Sequence, residues 1–512
     1  MMRLNWHTVK RAIHKQTKYD TQSVYGIKHI FGIIQHVTEI ILFCNKTKYN
    51  LNCFIRKQFY INLHYIYMES SKLAFRKVVS DWLTGDLPDA RKRDINMPLQ
   101  SEKIITIIGP RRSGKTYFLY FTLNKLLKTE PKNNILYINF EDDRLINIKI
   151  SDLDDIIPIF FEMANPDREK NIYLFFDEIQ NIENWEKYIR RIYDTKKFKI
   201  YLSGSSSKLL SREISTSLRG RNLEYVIMPL NFKEYLEFNG KEYSSLAGFT
   251  DQKGYIISDL RTFLEYGGYP EVVIEKNNDN KLRILRSYYN TIFSMDMAEH
   301  FNISEINVLD AFLKYIISIY SKYFSISKIY GIFKSAGYKI SKNKLLEFLY
   351  DSEEVFFMFY LKIFSRSENK KLSYQKKIYV IDSGIINSLK NEMSISRLME
   401  NVVFLDLNKK SMENNFSLSY WKEYGKADGK EIDFVLYDAL KIIQLIQVTY
   451  ISDISDINSR EILALLTGAR YFNCHNLLVI TWDYEGDIVK DGQKIIFIPL
   501  WKWLLNIKSQ QN

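Results

Sequence analysis

The sequence predicts an α/β protein built on a parallel β-sheet with helices on both of its faces. Three apolar runs support this prediction: KIITII over 103–108, NILYINFED over Asn134–Asp142, and Ile172–Asp177, in which five of six residues are apolar. Apolar runs of this kind are typical of strands that are buried on both faces. A helical pattern over Thr116–Lys128 follows the first run, and alternating strands and helices indicate βαβ units.

The stretch GPRRSGKTYF links the first strand to this helix, and it meets the pattern G-x-x-x-x-G-K-[ST]. Such a loop surrounds phosphates with backbone N–H groups, its lysine reaches the β- and γ-phosphates, and its hydroxyl can ligate Mg²⁺. A chance Gly-Lys-Thr turn is the alternative, but the flanking strand and helix favour the loop. The predicted ATP-binding residues are Gly109, Pro110, Arg111, Arg112, Ser113, Gly114, Lys115, Thr116 and Tyr117.

Two acidic residues, Asp177 and Glu178, end the third strand. Beside a phosphate-binding loop, the first acid at this position is expected to bind Mg²⁺ together with Thr116. The second is expected to polarise the attacking water as a general base. The alternative is an acidic helix N-terminus, which the same pair of residues also satisfies.

Hydroxyl and guanidinium groups follow the fourth strand, which is predicted within Phe198–Leu210. Ser203 and Ser205 are candidates to sense the γ-phosphate or position the water, and a Ser-rich turn that caps a helix is compatible with that role. Arg219 and Arg221 flank a glycine before the next strand. One of them is a candidate to stabilise transition-state charge, often from a neighbouring subunit, and the alternative is a pair of solvated arginines.

Five motifs occur in order between about residue 70 and the C-terminus: IIGPRRSGKTYFL, LFFDEIQNIENWEKYIR, LSGSSSKLLSREISTSLRGR, LEYGGYPEVV and KIYVIDSGI. They resemble the motifs of the archaeal-type AAA+ P-loop ATPases. The resemblance implies ATP binding and hydrolysis, with an arginine from Leu218–Arg221 acting beside Lys115, Thr116, Asp177 and Glu178. The expected organisation is a basic N-terminal extension, either a domain or a segment before a true start (1–67), an AAA+ core (68–240), a helical lid or linker (241–305), a winged helix (306–370) and a restriction-endonuclease-like α/β domain (371–512).

The pattern over Val308–Ser367 favours three helices followed by a β-wing. Ser325 and Ser341 are expected N-caps, and Gly337 is an expected helix stop. The third helix, from Lys342 to Leu349, would present two lysines to a DNA groove. Winged helices also serve as protein-contact modules, so the pattern leaves both roles open.

The last domain is expected to have a mixed α/β nuclease-like fold. Glu400 on a helix and Asp433 on a strand stand where such nucleases hold Mg²⁺, but Gln447 and Thr449 replace the glutamate and lysine of the E-x-K motif. An amide is a weaker Mg²⁺ ligand than a carboxylate, and threonine has no positive charge. Lys422 and Lys441 are possible substitutes for the missing lysine. A fold retained for binding or assembly is therefore favoured over nuclease activity.

The composition limits the classes of function. The chain of 512 residues has 46% hydrophobic residues and a net charge of +12. Residues 1–67 contribute ten basic residues against two acidic ones, a net of +8, and they form either a nucleic-acid-binding extension or a segment before a true start at Met68. The most apolar runs contain too many polar residues to span a membrane. The three cysteines lack the spacing of disulfide pairs or metal ligands. Both observations favour a cytoplasmic location.

These observations together predict an Mg²⁺-dependent ATPase whose hydrolysis is coupled to remodelling of DNA or protein. The expected partners are ATP, DNA if the remodelling acts on nucleic acid, and further copies of the chain if an arginine acts from a neighbouring subunit. The alternative is a scaffold that binds ATP as a switch with little hydrolysis, and an ATP-dependent nuclease ranks last.

Overall fold

A computed structural model describes residues 69–204, 218, 220–243, 250, 252–390, 393–414, 416–423 and 429–507. The chain divides into two compact units, Met1–Leu73 and Ala74–Asn512, and the sheets described below belong to the second. The predicted basic extension over 1–67 and the alternative start at Met68 lie outside the described residues.

The first sheet confirms the predicted parallel α/β core. Its five strands are all parallel in the order β2-β3-β4-β1-β5, and β1 and β3 are buried along their whole length. Because this order places β4 between β3 and β1, the carboxyl ends of these three strands meet at one edge. The elements are α1 (69–84), β1 (Ile104–Ile108), α2 (Lys115–Leu126), β2 (Ile135–Asn139), α3 (Ile156–Ala164), β3 (Ile172–Asp177), α4 (Trp185–Asp194), β4 (Phe198–Ser203) and β5 (Asn222–Val226).

A helical region follows the core. Its first helix begins with a capping box, in which Asn231 accepts from the backbone N–H of Glu234 and the Glu234 carboxylate accepts from the backbone N–H of Asn231. The linking helix expected over 281–300 changes from α- to π-helix at Ile292. The elements are α5 (Phe232–Phe238), α6 (Gln252–Tyr266), α7 (Pro270–Ile274), α8 (Asn278–Thr291) and the π-helix Ile292–Glu299.

Three helices and a small antiparallel sheet come next, in the arrangement of a winged helix. Ser325 and Ser341 cap their helices as predicted, and Gly337 has the positive φ of a helix stop. The strand order is β6-β8-β7, so the boundary expected at residue 370 is corrected to a position after β8, because β8 completes this sheet. The elements are α9 (Ile306–Ser318), β6 (Tyr323–Phe324), α10 (Ile326–Ser335), α11 (Lys342–Glu354), β7 (Met358–Leu361), α12 (Glu368–Ser373) and β8 (Lys376–Val380).

The C-terminal part is a mixed sheet of six strands in the order β13-β14-β12-β11-β10-β9. Strands β11, β12 and β14 are parallel, and the other pairs are antiparallel. None of the helices in the described ranges is both long and apolar enough to span a membrane. The elements are α13 (Ser383–Ser388), α14 (Ile395–Asn414), β9 (Ser417–Lys422), β10 (Glu431–Asp438), β11 (Lys441–Val448), α15 (Ser459–Phe472), β12 (Leu477–Thr481), β13 (Gly486–Lys490), β14 (Gln493–Pro499) and α16 (Leu500–Leu504).

Candidate functional site

The loop between β1 and α2 depends on two glycines. Gly109 has φ of 148°, and a Cβ atom at this position would lie 2.2 Å from the carbonyl oxygen of Ile227. Gly114 has φ of 96° and is the N-cap of α2. Both conformations strongly favour glycine. The loop therefore turns sharply from the strand and leads directly into the N-terminus of α2, the end of a helix that attracts anions.

Lys115 lies folded against this loop and is almost fully buried. Its ammonium group donates to the carbonyl oxygens of Gly109 (3.2 Å) and Pro110 (3.1 Å). The same nitrogen lies 3.9 Å from a carboxylate oxygen of Glu178. The loop, its lysine and the acid after β3 thus meet in one place.

Asp177 ends β3 and is fully buried. Its carboxylate accepts hydrogen bonds from the hydroxyl groups of Ser203 and Tyr137, the latter at 2.9 Å, and the nearby Thr116 hydroxyl also lowers its pKa. Burial raises the pKa of Asp177, and these hydrogen bonds act in the opposite direction. The oxygens of Thr116 and Asp177 are the ligand type that Mg²⁺ prefers, and Mg²⁺ usually keeps several waters and phosphate oxygens as its other ligands. The two residues therefore fit an Mg²⁺ ion bound together with a nucleotide.

Glu178 is held in the left-handed region with φ of 51° and is largely buried. Its carboxylate accepts from the side-chain amide of Gln180. Its backbone N–H donates to Ser203 Oγ at 3.1 Å, while that hydroxyl donates to Asp177. Ser203 therefore joins the end of β4 to both acids at the end of β3.

Two arginines of the loop contact the helical region. Arg111 pairs with Asp296 on the π-helix and lies 3.7 Å from Glu141. The Arg112 guanidinium lies over the ring of Tyr288, 5.9 Å from its centroid. π-helical turns often occur at functional sites, and here the turn carries the carboxylate that holds the loop.

A further buried arginine, Arg93, was missed by sequence reasoning. Its guanidinium donates to the carbonyl oxygens of Ser113 (2.9 Å) and Met228 (2.7 Å). It also forms a two-point ion pair with Glu234, at 2.8 and 3.3 Å. Since Ser113 belongs to the loop, Arg93 ties the loop to the start of α5.

The arginine and serine candidates after β4 are only partly described. Ser205 and Arg219 lie outside the described residues. Arg221 precedes β5, and its carbonyl oxygen accepts from Ile104 at the start of β1. The five residues of β1, about 16 Å of strand, separate it from the loop. Its guanidinium lies 3.4 Å from Asp194, so Arg221 does not reach the loop of its own chain.

The motif GGYP connects the loop to the C-terminal half of the chain. A Cβ atom at Gly114 would lie 3.6 Å from Pro270, so α7 begins beside the loop. Asp382 accepts from the backbone N–H groups of Gly268 (2.7 Å) and Gly384 (2.8 Å). This carboxylate therefore caps α13 and holds the segment that leads into α7.

The nuclease-like residues also come together, but around a lysine. Lys377 on β8 lies 3.1 Å from Glu400, 2.8 Å from Asp433 and 2.7 Å from Glu431. Lys377, and neither Lys422 nor Lys441, is the lysine that contacts Glu400 and Asp433 in the described part of the chain.

The other two members of this cluster make local contacts. The Gln447 side-chain oxygen accepts from the backbone N–H of Asp433 at 3.4 Å, and the Thr449 hydroxyl lies near Glu461 and lowers the pKa of that carboxyl. Across the described residues, no group of three or more His, Cys, Asp or Glu side chains could hold a metal ion. The cluster as it stands therefore does not fit Mg²⁺.

Comparison with known proteins gives two family matches. Residues 101–236 match an AAA domain family, and residues 257–396 match a domain of unknown function, DUF8612. The chain is 37% identical to an uncharacterized protein of Methanocaldococcus jannaschii over 86% of this chain and 96% of that protein. It is 27% identical to an uncharacterized protein of Haemophilus influenzae over 78% of this chain and 94% of that protein.

Solved structures were also compared. The Orc1 protein of Aeropyrum pernix in complex with DNA is 12% identical, over 64% of this chain and 94% of that chain, with a TM-score of 0.26. The AMPPCP-bound DnaA protein of Aquifex aeolicus is 16% identical, over 49% of this chain and 81% of that chain, with a TM-score of 0.21.

Proposed function

Because the chain belongs to the family of archaeal-type AAA+ P-loop ATPases, we propose that it binds ATP with Mg²⁺ at the β1–α2 loop and hydrolyses it. One observation carries the proposal. Lys115, Thr116, Asp177 and Glu178 come from two separate segments of the chain and converge at one edge of the parallel sheet. Phosphoryl transfer to water needs these four kinds of group together.

Binding would use the loop and the start of α2. The backbone N–H groups after Gly109 and the N-terminus of α2 attract the phosphates. Lys115 would exchange its two carbonyl contacts for phosphate oxygens, which offer it a full negative charge. Thr116 and Asp177 would hold Mg²⁺, which when bound supplies positive charge to the β- and γ-phosphates.

Hydrolysis would use Glu178 and Ser203. The Glu178 carboxylate lies 3.9 Å from the Lys115 ammonium group, where the terminal phosphate is expected, and this supports a role for Glu178 in accepting a proton from an attacking water. In the structure it accepts from Gln180, and this bond must loosen for Glu178 to act as a base. Ser203 contacts both acids and is placed to transmit the arrival of the γ-phosphate to β4.

We further propose that hydrolysis is coupled to the rest of the chain. The path runs from the loop through Arg111 and Asp296 to the π-helix, and through Pro270 and Asp382 to α13. Its output would be remodelling of DNA or protein. On α11, Lys344 pairs with Glu347 at 3.0 Å, which reduces the positive charge available for DNA and favours a protein partner.

The position of Arg221 supports a proposed homo-oligomer. It lies at the edge of the sheet opposite the loop, so a role in transition-state stabilisation requires a neighbouring copy. A homo-oligomer in the presence of ATP is therefore part of the proposal.

A second candidate function is a nucleotide-gated scaffold that hydrolyses little ATP. The engagement of Glu178 by Gln180 and Lys115 supports this alternative, because a base held in this way is not free to activate water. Both candidates require ATP binding, and only the first requires turnover.

The proposal is tested by ATP binding and phosphate release with the full-length chain, with and without double-stranded DNA. Lys115→Ala should abolish both activities. Lys128→Ala, which removes an exposed lysine just after α2, serves as the matched control and should leave both unchanged. Equal ATP binding by wild type and Lys115→Ala would contradict the proposal.

A further inference from the structure

Lys377 is a buried lysine on the central strand of the winged-helix sheet, and it is only 3% exposed. We propose that its ammonium group replaces the divalent cation of the nuclease-like carboxylate cluster. The cluster is then a closed joint between the winged helix and the C-terminal sheet, and it is not a metal centre. This inference does not depend on ATP binding or hydrolysis.

The distances show that the ammonium group occupies the centre of the cluster. Carboxylate oxygens of Glu431, Asp433 and Glu400 lie 2.7, 2.8 and 3.1 Å from the nitrogen. An ammonium group has three N–H donors, and three carboxylates surround it here. Two of these contacts, to Glu400 and Asp433, are hydrogen bonds, and the third is an ion pair with Glu431. The ammonium group is therefore committed to the acids, whereas a catalytic lysine must orient a water molecule or a phosphate.

The carboxylates have other donors as well. The hydroxyl of Tyr379 donates to Glu400 at 2.8 Å, and the backbone N–H of Val448 donates to Asp433 at 3.0 Å. The side-chain oxygen of Gln447 accepts from Asp433 rather than facing the ammonium group. Oxygens that a metal ion would need are therefore already engaged.

The positive charge of Lys377 explains why the cluster does not also hold a divalent cation. Asp433 is buried, and a buried carboxylate without a close counter-charge is costly. Lys377 supplies that counter-charge from within the chain. A divalent ion placed at the same position would meet the ammonium group at contact distance, so metal binding requires that the lysine be absent.

The sequence changes in the last domain agree with this exchange. Gln447 and Thr449 stand where the E-x-K motif would place an acid and a lysine. One positive charge is lost at position 449 and one is present at position 377, on a different sheet. The lysine thus supplies one positive charge to the acids without restoring the arrangement that cleaves DNA.

The joint also has backbone contacts. The N–H of Phe364 donates to the carbonyl oxygen of Tyr420 at 2.6 Å. The N–H of Tyr420 donates to the carbonyl oxygen of Lys362 at 3.1 Å. These bonds connect the segment after β7 to β9. The Tyr323 ring on β6 lies 5.5 Å from the Lys377 nitrogen and covers the cluster from the winged-helix side.

The test is binding of Mn²⁺ to the full-length, nucleotide-free protein, followed by electron paramagnetic resonance. Wild type and Glu400→Gln should bind Mn²⁺ equally, because the cluster holds no metal in either. Lys377→Ala should gain about one Mn²⁺ per chain, and the double variant Lys377→Ala with Asp433→Asn should lose that gain. Comparing the amounts of Mn²⁺ bound by wild type and by the variants removes the contribution of any Mn²⁺ bound at the ATP site, which is the same in all of them.

Three results would overturn the inference: weaker Mn²⁺ binding by Glu400→Gln than by wild type, no gain of Mn²⁺ by folded Lys377→Ala, or a gain that survives Asp433→Asn. If Lys377→Ala does not fold, the comparison of wild type with Glu400→Gln decides alone, because a resident metal site would lose affinity at least tenfold on removal of a carboxylate ligand.

Discussion

The guanidinium of Arg93 donates to the carbonyl oxygen of Ser113, within the loop that precedes α2, at 2.9 Å. Both side chains are buried, and the same guanidinium holds Glu234 and the carbonyl oxygen of Met228. Arg93 thus reaches the loop through the backbone carbonyl group of Ser113. It is therefore a positioning residue that fixes the path of the loop.

Replacement of Arg93 by alanine should destabilise the fold and weaken ATP binding. Removing one partner of a buried ion pair costs about 3–5 kcal/mol, because the other charge is left unpaired. Urea unfolding measures the first effect, and titration with an ATP analogue measures the second. The control is Arg191→Ala, which breaks an exposed pair with Asp154 and should cost about 1 kcal/mol or less. Equal losses in the two variants would contradict this role.

Replacement of Ser203 by alanine should lower turnover and leave ATP binding largely intact. The change removes a donor to Asp177 and the acceptor of the Glu178 N–H, so both acids lose their fixed orientation. A decrease in kcat of roughly 10- to 1000-fold is expected for a group that positions catalytic residues. Measuring kcat and the Kd for ATP on the same variant would show whether turnover falls while binding is kept. An unchanged kcat would exclude a positioning role for Ser203.

Gly109→Ala should abolish ATP binding, because the added Cβ would lie 2.2 Å from the carbonyl oxygen of Ile227 and the backbone has a positive φ. The matched control is Gly331→Ala in α10, where a Cβ meets nothing within 4 Å. An alanine inside a helix is favoured over glycine by about 1 kcal/mol, so this variant should be equally or more stable. Thermal unfolding and ATP titration of both variants test the pair, and intact ATP binding by Gly109→Ala would contradict the loop geometry.

Glu461 on α15 should make the stability depend on pH. Burial, and then the charge of Asp433, raises the pKa of this carboxyl to about 7, and one of its oxygens is buried without a hydrogen-bond partner. The folded state then holds a proton that the unfolded state releases above about pH 4.3. Stability should therefore fall as the pH rises from about 4.3 through 7, by at most about 4 kcal/mol.

The control for this pH dependence is Glu461→Gln, which does not titrate. Urea unfolding of both proteins at pH 5 and pH 8 isolates the contribution of Glu461. Wild type should lose more stability than Glu461→Gln between the two values. An equal loss, or a gain in wild type, would show that the carboxyl is ionised in the folded protein throughout this range.

Much of the fold could be predicted from the sequence because its strongest features are local. The order of β1, the glycine loop and α2 lies within one short segment, and the acids that follow β3 are adjacent in sequence. The approach of Asp177 and Glu178 to the loop then follows from the order of parallel strands. The caps at Ser325 and Ser341 are also local, since each satisfies an N–H three residues later.

The remaining features depend on distant partners and carry no local pattern. Arg93 meets Glu234 across 141 positions, and Lys377 meets Asp433 across 56. In the sequence, Arg93 and Lys377 each look like an ordinary solvent-exposed basic residue. The third strand of the wing follows an intervening helix, so β8 was expected in the last domain. Helical periodicity likewise does not distinguish the π-turn after α8 from α-helix.

The most direct test of the central claim is Glu178→Gln in the full-length protein, measured for both ATP binding and phosphate release. Glutamine keeps the size of the side chain and cannot accept the proton of the attacking water. The account predicts ATP binding within about threefold of wild type, with phosphate release reduced by a factor of about 100 or more. Phosphate release by Glu178→Gln at the wild-type rate, or no release by wild type despite tight ATP binding, would contradict the proposed ATPase.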